Sequence, residues 1–208
     1  MQKDYDIIVS GGGLTGVAAA ISAKRSGVKD VLLIERYGFL GGMATSGLVH
    51  PFMSYFRARK PYKEENQLIF GIFQEILDSL KALNGLERAS YFDAEAMKLV
   101  LNNMILENDV SILLHTYVAD VKKEEDNYID SIKVVNKSGI ADLKAKMFID
   151  CTGDADIAHM AGVPCKKGSE DSIHGQPMTM CFRVANVDRE NMPSRNEINR
   201  LYTEAVKR

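Results

Sequence analysis

The stretch from Asp4 to Glu35 constrains the fold more than any other part of this chain, because it reads as a complete βαβ unit. Residues 7–9 form a short apolar run without polar alternation, as expected of a parallel strand buried on both faces. After a glycine-rich turn, the Ala-rich residues 17–26 predict a helix, and residues 31–34 predict a second buried strand. This order predicts an α/β fold built on a parallel sheet.

The turn inside this unit, GGGLTG, satisfies the pattern G-x-G-x-x-G. In such a turn Gly11 allows the tight bend, Gly13 lets the backbone approach a pyrophosphate, and Gly16 lets the helix pack closely on the strand. The N–H groups and the dipole at the start of the helix favour a phosphate. Glu35 ends the second strand, where a carboxylate is placed to accept hydrogen bonds from an adenosine ribose. The unit therefore predicts a dinucleotide site.

Length and composition narrow the possible classes of protein. A chain of 208 residues can bury one core, or one core with an appended subdomain. The net charge of −2, without a basic block, gives no reason to expect nucleic acid or an anionic membrane as a partner. The three cysteines lack C-x-x-C spacing, which argues against a disulfide scaffold or a zinc site. Without a signal-peptide pattern or an apolar run long enough to span a bilayer, the expected location is cytoplasmic.

Two predicted helices interrupt the Rossmann pattern as an insertion at about residues 60–108. Apolar residues at helical spacing predict a helix over residues 64–83. Asp93 is a candidate N-cap for a second helix over residues 94–108.

After the insertion the pattern changes to that of strands. Residues 110–114 predict the third parallel strand. Three further strands are predicted at residues 116–123, 128–135 and 141–146, with polar turns between them. This pattern predicts an antiparallel meander. Residues 147–150 then predict a separate buried strand, followed by a short helix over 155–161.

The C-terminal part predicts the beginning of a second subdomain. Residues 178–187 predict a strand, and residues 196–208 predict a polar helix. We therefore expect a nucleotide-binding domain over residues 1–165 and an incomplete substrate or cap subdomain over residues 166–208.

A meander in the crossover resembles the FAD-binding domain of the glutathione-reductase-like flavoproteins. The segment FIDCTGDADIAHMAGVP is similar to a signature of the broad FAD-dependent oxidoreductase family, as is QPMT at residues 176–179. The turn GGGLTG with Glu35, the loop at residues 41–46 and the strand at residues 115–118 add to the resemblance. It implies FAD as cofactor and hydride transfer between FAD and a small organic substrate.

The resemblance also implies roles for single residues. The glycine-rich turn would cradle the pyrophosphate, Glu35 would hold the adenosine ribose, and Arg36 would lie beside the adenine. Val118 would pair its backbone with the adenine edge. The implied cofactor-binding residues are Gly11, Gly13, Leu14, Thr15, Gly16, Glu35, Arg36, Gly42, Met43, Ala44, Val118, Thr152, Gly153 and Asp154.

Two departures from the family pattern matter. Disulfide reductases carry two cysteines in the loop that matches residues 41–46, and this chain has none there, which excludes the thiol–disulfide branch. No segment after Gly162 matches the C-terminal FAD segment of these flavoproteins, whose members are usually longer. We therefore expect an N-terminal fragment that binds FAD weakly or not at all and self-associates as a homo-oligomer.

No catalytic residue follows from the sequence, although several side chains are candidates for contact with substrate. His50 lies downstream of the loop at residues 41–46, and Arg183 lies within the predicted strand at residues 178–187. Cys151 is interpreted as a small buried hydrophobe. The other candidates are His174, Arg57, Arg59 and Lys60, while His115 and His159 are expected to pack on a strand and a helix.

Two alternative functions remain open at this point. A nicotinamide-dependent dehydrogenase shares the glycine-rich turn and the acid, and a helix in place of the meander would favour it. A catalytically inactive nucleotide-binding or assembly fragment is the other alternative.

Overall fold

The computed structural model describes residues 4–53, 55–57, 66–125, 128–168, 175, 178–188 and 190–207. The chain divides into two compact units, residues 1–178 and residues 179–208. The predicted domains, 1–165 and 166–208, stay a prediction that this division does not test.

Within the described residues, strands and helices alternate at the start of the chain and strands dominate its middle. The helices are α1 (Leu14–Arg25), α2 (Ile72–Ala82), α3 (Ala94–Glu107), α4 (Asp156–Met160) and α5 (Arg195–Val206). The strands are β1 (Tyr5–Ser10), β2 (Val31–Ile34), β3 (Leu86–Glu87), β4 (Tyr91–Phe92), β5 (Ser111–Leu113), β6 (Tyr117–Glu125), β7 (Tyr128–Asn136) and β8 (Gly139–Asp150).

The main sheet has six strands in the order β5-β2-β1-β8-β7-β6. Strand β1 pairs in parallel with β2 on one side and with β8 on the other, and β2 pairs in parallel with β5. Strands β6, β7 and β8 form the antiparallel meander. The Rossmann-like parallel sheet with a three-stranded meander in the crossover is therefore confirmed.

The prediction of two separate strands at residues 141–146 and 147–150 is wrong, because β8 is one continuous strand. Its first half pairs with β7, up to Lys144 opposite Ser131, and its second half pairs with β1 from Ala145 onward. The change of partner requires no turn, since β7 and β1 lie on opposite edges of β8. One long strand thus connects the meander directly to the nucleotide motif.

Two apolar clusters pack against the two faces of the main sheet. Val9 packs with residues of α1, α2 and α3 such as Val17, Ile76 and Leu101. Ile8, the next residue of the same strand, packs on the opposite face with residues of β2, the meander and α4. Successive side chains of a strand point to opposite faces, so β1 contributes to both clusters.

Helix α2 is shorter than the helix predicted over residues 64–83. Residues 64 and 65 lie outside the described residues, and Leu68 and Ile69 precede the helix and are exposed. Gly71 stands at the N-cap with φ of 68°, a left-handed conformation that a continuous helix does not allow. The apolar spacing thus extends one turn beyond the helix itself.

The second predicted helix of the insertion is confirmed as α3. The Asp93 side chain caps it by accepting hydrogen bonds from the N–H groups of Glu95 and Ala96, both at 2.8 Å. A short hairpin of β3 and β4, which the sequence did not predict, joins α2 to α3.

A polar contact ties the insertion to the Rossmann helix α1. The Arg25 guanidinium donates from Nη1 and Nη2 to the two carboxylate oxygens of Glu75, at 2.6 and 2.8 Å. Its Nε donates to Asn108 Oδ1 at 2.9 Å. The hydrogen bond from Arg25 lowers the pKa of Glu75 below its ordinary value.

The second unit contains α5, whose cap Ser194 accepts a hydrogen bond from the N–H of Glu197. The strand predicted over residues 178–187 is wrong, because the described residues there pair with no other strand. A strand needs a hydrogen-bonding neighbour, and the alternating apolar pattern alone does not supply one. The alternating side chains are instead exposed, and they are Met178, Met180, Phe182 and Val184.

Candidate functional site

A cavity of about 380 Å³ lies at the carboxyl ends of β1, β2 and β8, where α1 begins. This is the edge of a parallel α/β sheet at which ligands commonly bind. The volume falls within the range of small-molecule pockets. Of the predicted cofactor-binding residues, those that line it are Gly11, Gly13, Leu14, Thr15, Glu35, Arg36, Gly42, Met43, Ala44, Val118, Thr152, Gly153 and Asp154.

The glycine-rich turn has the geometry that its sequence predicted. Gly11 has φ of +97°, and its N–H donates to the Ile34 carbonyl at 2.9 Å. A Cβ on Gly16 would lie 1.8 Å from the Gly11 carbonyl oxygen, so only glycine allows α1 to approach the strand this closely. Gly16 thus acts behind the cavity wall as a packing residue.

Gly13 differs from Gly16 because it faces open space. A Cβ built on Gly13 would meet only the Cα of Gly42, at 4.0 Å. Gly13 is also the N-cap of α1, and no side chain of the described residues caps this helix end. The N–H groups of the first turn of α1 and the open space at Gly13 form a cradle suited to a phosphate.

A 3₁₀ turn at Gly42–Ala44 forms the wall opposite this cradle. The Gly41 N–H donates to the Gly12 carbonyl at 2.8 Å, which fixes the turn against the glycine-rich turn. The Thr45 hydroxyl donates to the Leu40 carbonyl at 2.7 Å and holds the other end. Met43, 66% exposed, is the most accessible side chain of this wall.

Glu35 is buried, with 5% of its surface exposed, and both carboxylate oxygens already accept hydrogen bonds. Oε2 accepts from the Gly12 N–H at 2.7 Å, and Oε1 accepts from the Tyr37 N–H at 2.8 Å. A carboxylate offers about four acceptor positions, so two remain for ribose hydroxyls. The sequence did not reveal this second function, which is to hold the glycine-rich turn against the end of β2.

Arg36, Tyr37 and Val118 form the end of the cavity next to β2 and β6. The Arg36 guanidinium lies 4.9 Å from the centroid of the Tyr37 ring, and that ring stacks on Phe39 at 5.8 Å. Val118 lies in β6, the last strand of the six-stranded sheet. A planar base could stack on this group and pair with the backbone at the strand edge.

Residues 151–154 form the remaining wall. Cys151 packs against the first apolar cluster, but it is half-buried rather than buried as predicted, because its other side lines the cavity. Burial raises the pKa of its thiol, and the charge of Asp150 adds to this effect. The thiol is therefore protonated near neutral pH and is a poor nucleophile.

The arrangement fits the ADP half of FAD. Gly13 leaves a space that a Cβ would fill, and the uncapped end of α1 offers N–H groups to a pyrophosphate. Glu35 retains acceptor capacity beside it. Within the described residues no group of three or more His, Cys, Asp or Glu side chains could hold a metal ion.

Neither His50 nor Arg57, the candidate substrate residues described in the same unit, lines this cavity. The His50 ring packs against Phe92, with 5.0 Å between ring centroids, and does not line the cavity. Arg57 and Arg183 are exposed, and the strand predicted to hold Arg183 is absent from the described residues. The candidates that lie outside the described residues are His174, Arg59 and Lys60.

The two histidines expected to pack are both exposed. His115 follows β5 with φ of 50°, and its ring lies where a Cβ on Gly38 would stand. His159 is on α4. Neither lines the cavity.

Several lining residues were not predicted. All of them lie within two positions of a predicted residue, so extension of each motif by two positions would have found them. They are Ser10, Ile34, Tyr37, Gly41, Ser46, Thr116, Tyr117, Cys151 and Asp156.

Several solved structures share this fold at low sequence identity. THI4 of Thermovibrio ammonificans matches with a TM-score of 0.52 and 15% identity over 77% of this chain and 64% of that one. L-proline dehydrogenase from P. horikoshii matches with a TM-score of 0.52 and 16% identity over 81% and 58%. A flavoprotein/dehydrogenase from Cytophaga hutchinsonii matches with a TM-score of 0.53 and 17% identity over 77% and 42%. The chain thus spans about two thirds or less of each of these proteins.

Comparison with curated proteins gives no match. Among the described residues, no helix is both long and apolar enough to cross a membrane. The model of one protein family, FAD dependent oxidoreductase, matches residues 6–207. The chain therefore belongs to the FAD-dependent oxidoreductase family, and FAD is its cofactor.

Proposed function

We propose that this chain is the FAD-binding domain of an enzyme that transfers a hydride between a small organic substrate and FAD. The observation that carries the proposal is the convergence of the glycine-rich turn, Glu35, the turn at Gly42–Ala44 and the loop after β8 on one cavity. A cytoplasmic location is part of the same proposal.

The pyrophosphate is assigned to the cradle at Gly13. The N–H groups at the start of α1 donate to its oxygens, and the positive end of the helix dipole offsets its charge. Gly42, whose Cα lies close to Gly13, lets a second stretch of backbone approach from the opposite side. From there, Met43 and Ala44 lead toward the flavin.

The adenosine is assigned to the end formed by β2 and β6. Glu35 accepts from the ribose hydroxyls with the positions left free by Gly12 and Tyr37. Arg36 and Tyr37 offer a planar surface to the adenine, and the backbone of Val118 pairs with its edge.

FAD, when bound, supplies the hydride chemistry, and the protein supplies binding, orientation and electrostatics. This chain contributes the binding of the nucleotide half. The residues that contact substrate are not assigned among the described residues, and no proton transfer is assigned to Cys151, whose thiol pKa is raised.

The direct test is FAD binding by Gly13→Val, measured by titration together with circular dichroism. A Cβ at position 13 meets no protein atom closer than 4.0 Å, and the valine side chain would fill the cradle, so we expect loss of FAD binding in a folded chain. Ser22→Val, an exposed position of the same helix, is the matched control and should bind FAD like the unmodified chain. Normal FAD affinity of Gly13→Val would refute the assignment of the cradle.

Gly16→Ala gives the complementary result. Its Cβ would overlap the Gly11 carbonyl oxygen, so this variant should lose stability whether or not FAD is present. Comparison of Gly13→Val with Gly16→Ala therefore separates a ligand-facing glycine from a packing glycine.

The alternative of a nicotinamide-dependent dehydrogenase is disfavoured by the meander, which stands where that alternative expects a helix. NADH binding without FAD binding would revive it. The inactive assembly fragment would be favoured if the chain binds neither cofactor and dimerises through the cavity face.

A further inference from the structure

Asp150, the last residue of β8, makes three hydrogen bonds with the segment that follows it. Its Oδ1 accepts from the Thr152 N–H at 2.9 Å and from the Thr152 hydroxyl at 2.7 Å. Its Oδ2 accepts from the Ala158 N–H of α4 at 2.9 Å. One carboxylate thus joins the end of a sheet strand to a loop and to a helix.

Asp150 does not itself line the cavity, but the loop that it holds does. Thr152, Gly153 and Asp154 line the cavity immediately after it. The strand end is fixed in turn, because the N–H of Cys151 donates to the Ser10 carbonyl of β1 at 2.8 Å.

The loop depends on this carboxylate for its shape. Gly153 and Asp154 are exposed, and Ala155 is held at φ of 57°, a left-handed conformation unfavourable for alanine. The Thr152 hydroxyl that donates to Asp150 also accepts from the Asp156 N–H at 2.8 Å. Beyond the loop, the buried Ile157 anchors α4 in the second apolar cluster.

We infer that Asp150 is a positioning residue for FAD, which acts by fixing the Thr152–Asp154 wall of the cavity against α4. The inference rests on the proposed function, which assigns FAD to this cavity. A carboxylate suits the position because both of its oxygens accept hydrogen bonds, whereas an amide accepts on one side only. Asparagine can therefore satisfy Thr152 or Ala158 but not both.

The experiment compares Asp150→Asn with Asp142→Asn in the 208-residue chain. Asp142 is in the same strand, but it pairs with Lys133 on the surface at 3.1 Å, away from the cavity. Hydrogen exchange should rise at residues 152–158 in Asp150→Asn alone, with the amides of β1 and α1 unchanged. The Kd for FAD should rise about tenfold in Asp150→Asn and remain unchanged in Asp142→Asn.

Thr152 supplies a second pair of variants that tests the inference if Asp150→Asn does not fold. Thr152→Ser retains the hydroxyl that donates to Asp150, so hydrogen exchange at residues 152–158 should be slower in Thr152→Ser than in Thr152→Val. Thr152→Val removes the hydroxyl at nearly constant volume and should reproduce the weaker binding.

The outcomes separate the inference from the proposed function. Wild-type FAD affinity in both Asp150→Asn and Thr152→Val overturns the inference alone. Exchange that rises over the whole chain also overturns it, since that result describes general destabilisation. If the unmodified chain binds no FAD in this cavity, the proposed function fails and the inference fails with it.

Discussion

At the scale of the residue, Glu35 supports the glycine-rich turn, and the proposed function also assigns it to the ribose of FAD. We expect Glu35→Gln to destabilise the ligand-free protein by about 1–3 kcal/mol, because the amide would direct N–H groups at the N–H of Gly12 or Tyr37. Urea denaturation without any nucleotide measures this loss. A purely ribose-binding role predicts no change in that experiment, so unchanged stability would contradict the second function.

Glu35→Ala should also weaken FAD binding more than FMN binding, because FMN has no adenosine ribose. We also expect FMN affinity to fall, since the glycine-rich turn to which the phosphate is assigned loses its support.

Ala155 stores strain that a single substitution can release. Glycine adopts a positive φ without a steric penalty, so Ala155→Gly should stabilise the chain by about 0.5–1 kcal/mol. Ala158→Gly, inside α4, is the control and should destabilise it by about 0.5–1 kcal/mol. Urea midpoints of the two variants should therefore move in opposite directions, and a destabilised Ala155→Gly would argue against the strain.

At the scale of the element, the contact between Arg25 and Glu75 tests how the insertion is attached to α1. We expect a double-mutant cycle of Arg25→Gln and Glu75→Gln to give a coupling of about 0.2–1 kcal/mol at neutral pH, as for exposed pairs. The folded pKa of Glu75 is lowered, so this stability is present above its unfolded value and is lost as the pH falls through the folded value. Coupling that persists in acid would exclude the ion pair as its source.

The elements of the βαβ unit could be predicted because local signals agree with the tertiary structure. The buried run of β1, the glycine-rich turn and the acid at the end of β2 each allow few alternatives. The N-cap at Asp93 could be predicted for the same reason, because its contacts with Glu95 and Ala96 are local in the sequence. All of the predicted nucleotide residues except Gly16 therefore line one cavity.

The predictions that were wrong concern strands whose formation depends on partners distant in the sequence. Strand β8 pairs first with β7 and then with β1, without a break in the strand. The sequence does not reveal this, because no turn residue marks the change of pairing partner. Residues 178–187 have the alternation of a strand but no neighbour among the described residues. The hydrogen bonds of Asp150 join the end of β8 to Thr152 and to Ala158 of α4, and they depend on a fold geometry that spacing does not supply.

At the scale of the whole molecule, the exposed apolar side chains of the second unit support the expected self-association. Met180 and Phe182 are 87% and 75% exposed, and exposed apolar surface of this kind is typical of an interaction site. Sedimentation should detect dimers or larger species that Met180→Ser with Phe182→Ser shifts toward monomer. Met53→Ser, at a residue 75% exposed in the first unit, is the control and should not change the distribution. A monomeric unmodified chain would contradict the prediction.

Titration calorimetry of the 208-residue chain with FAD, ADP and FMN measures whether the cavity binds FAD through its ADP half. We expect FAD to bind weakly and ADP to bind within about tenfold of it, because the proposed contacts all lie on the adenosine and the pyrophosphate. FMN should bind more weakly than either. FMN binding as tight as FAD binding, or no binding of either FAD or ADP, would contradict binding through the ADP half.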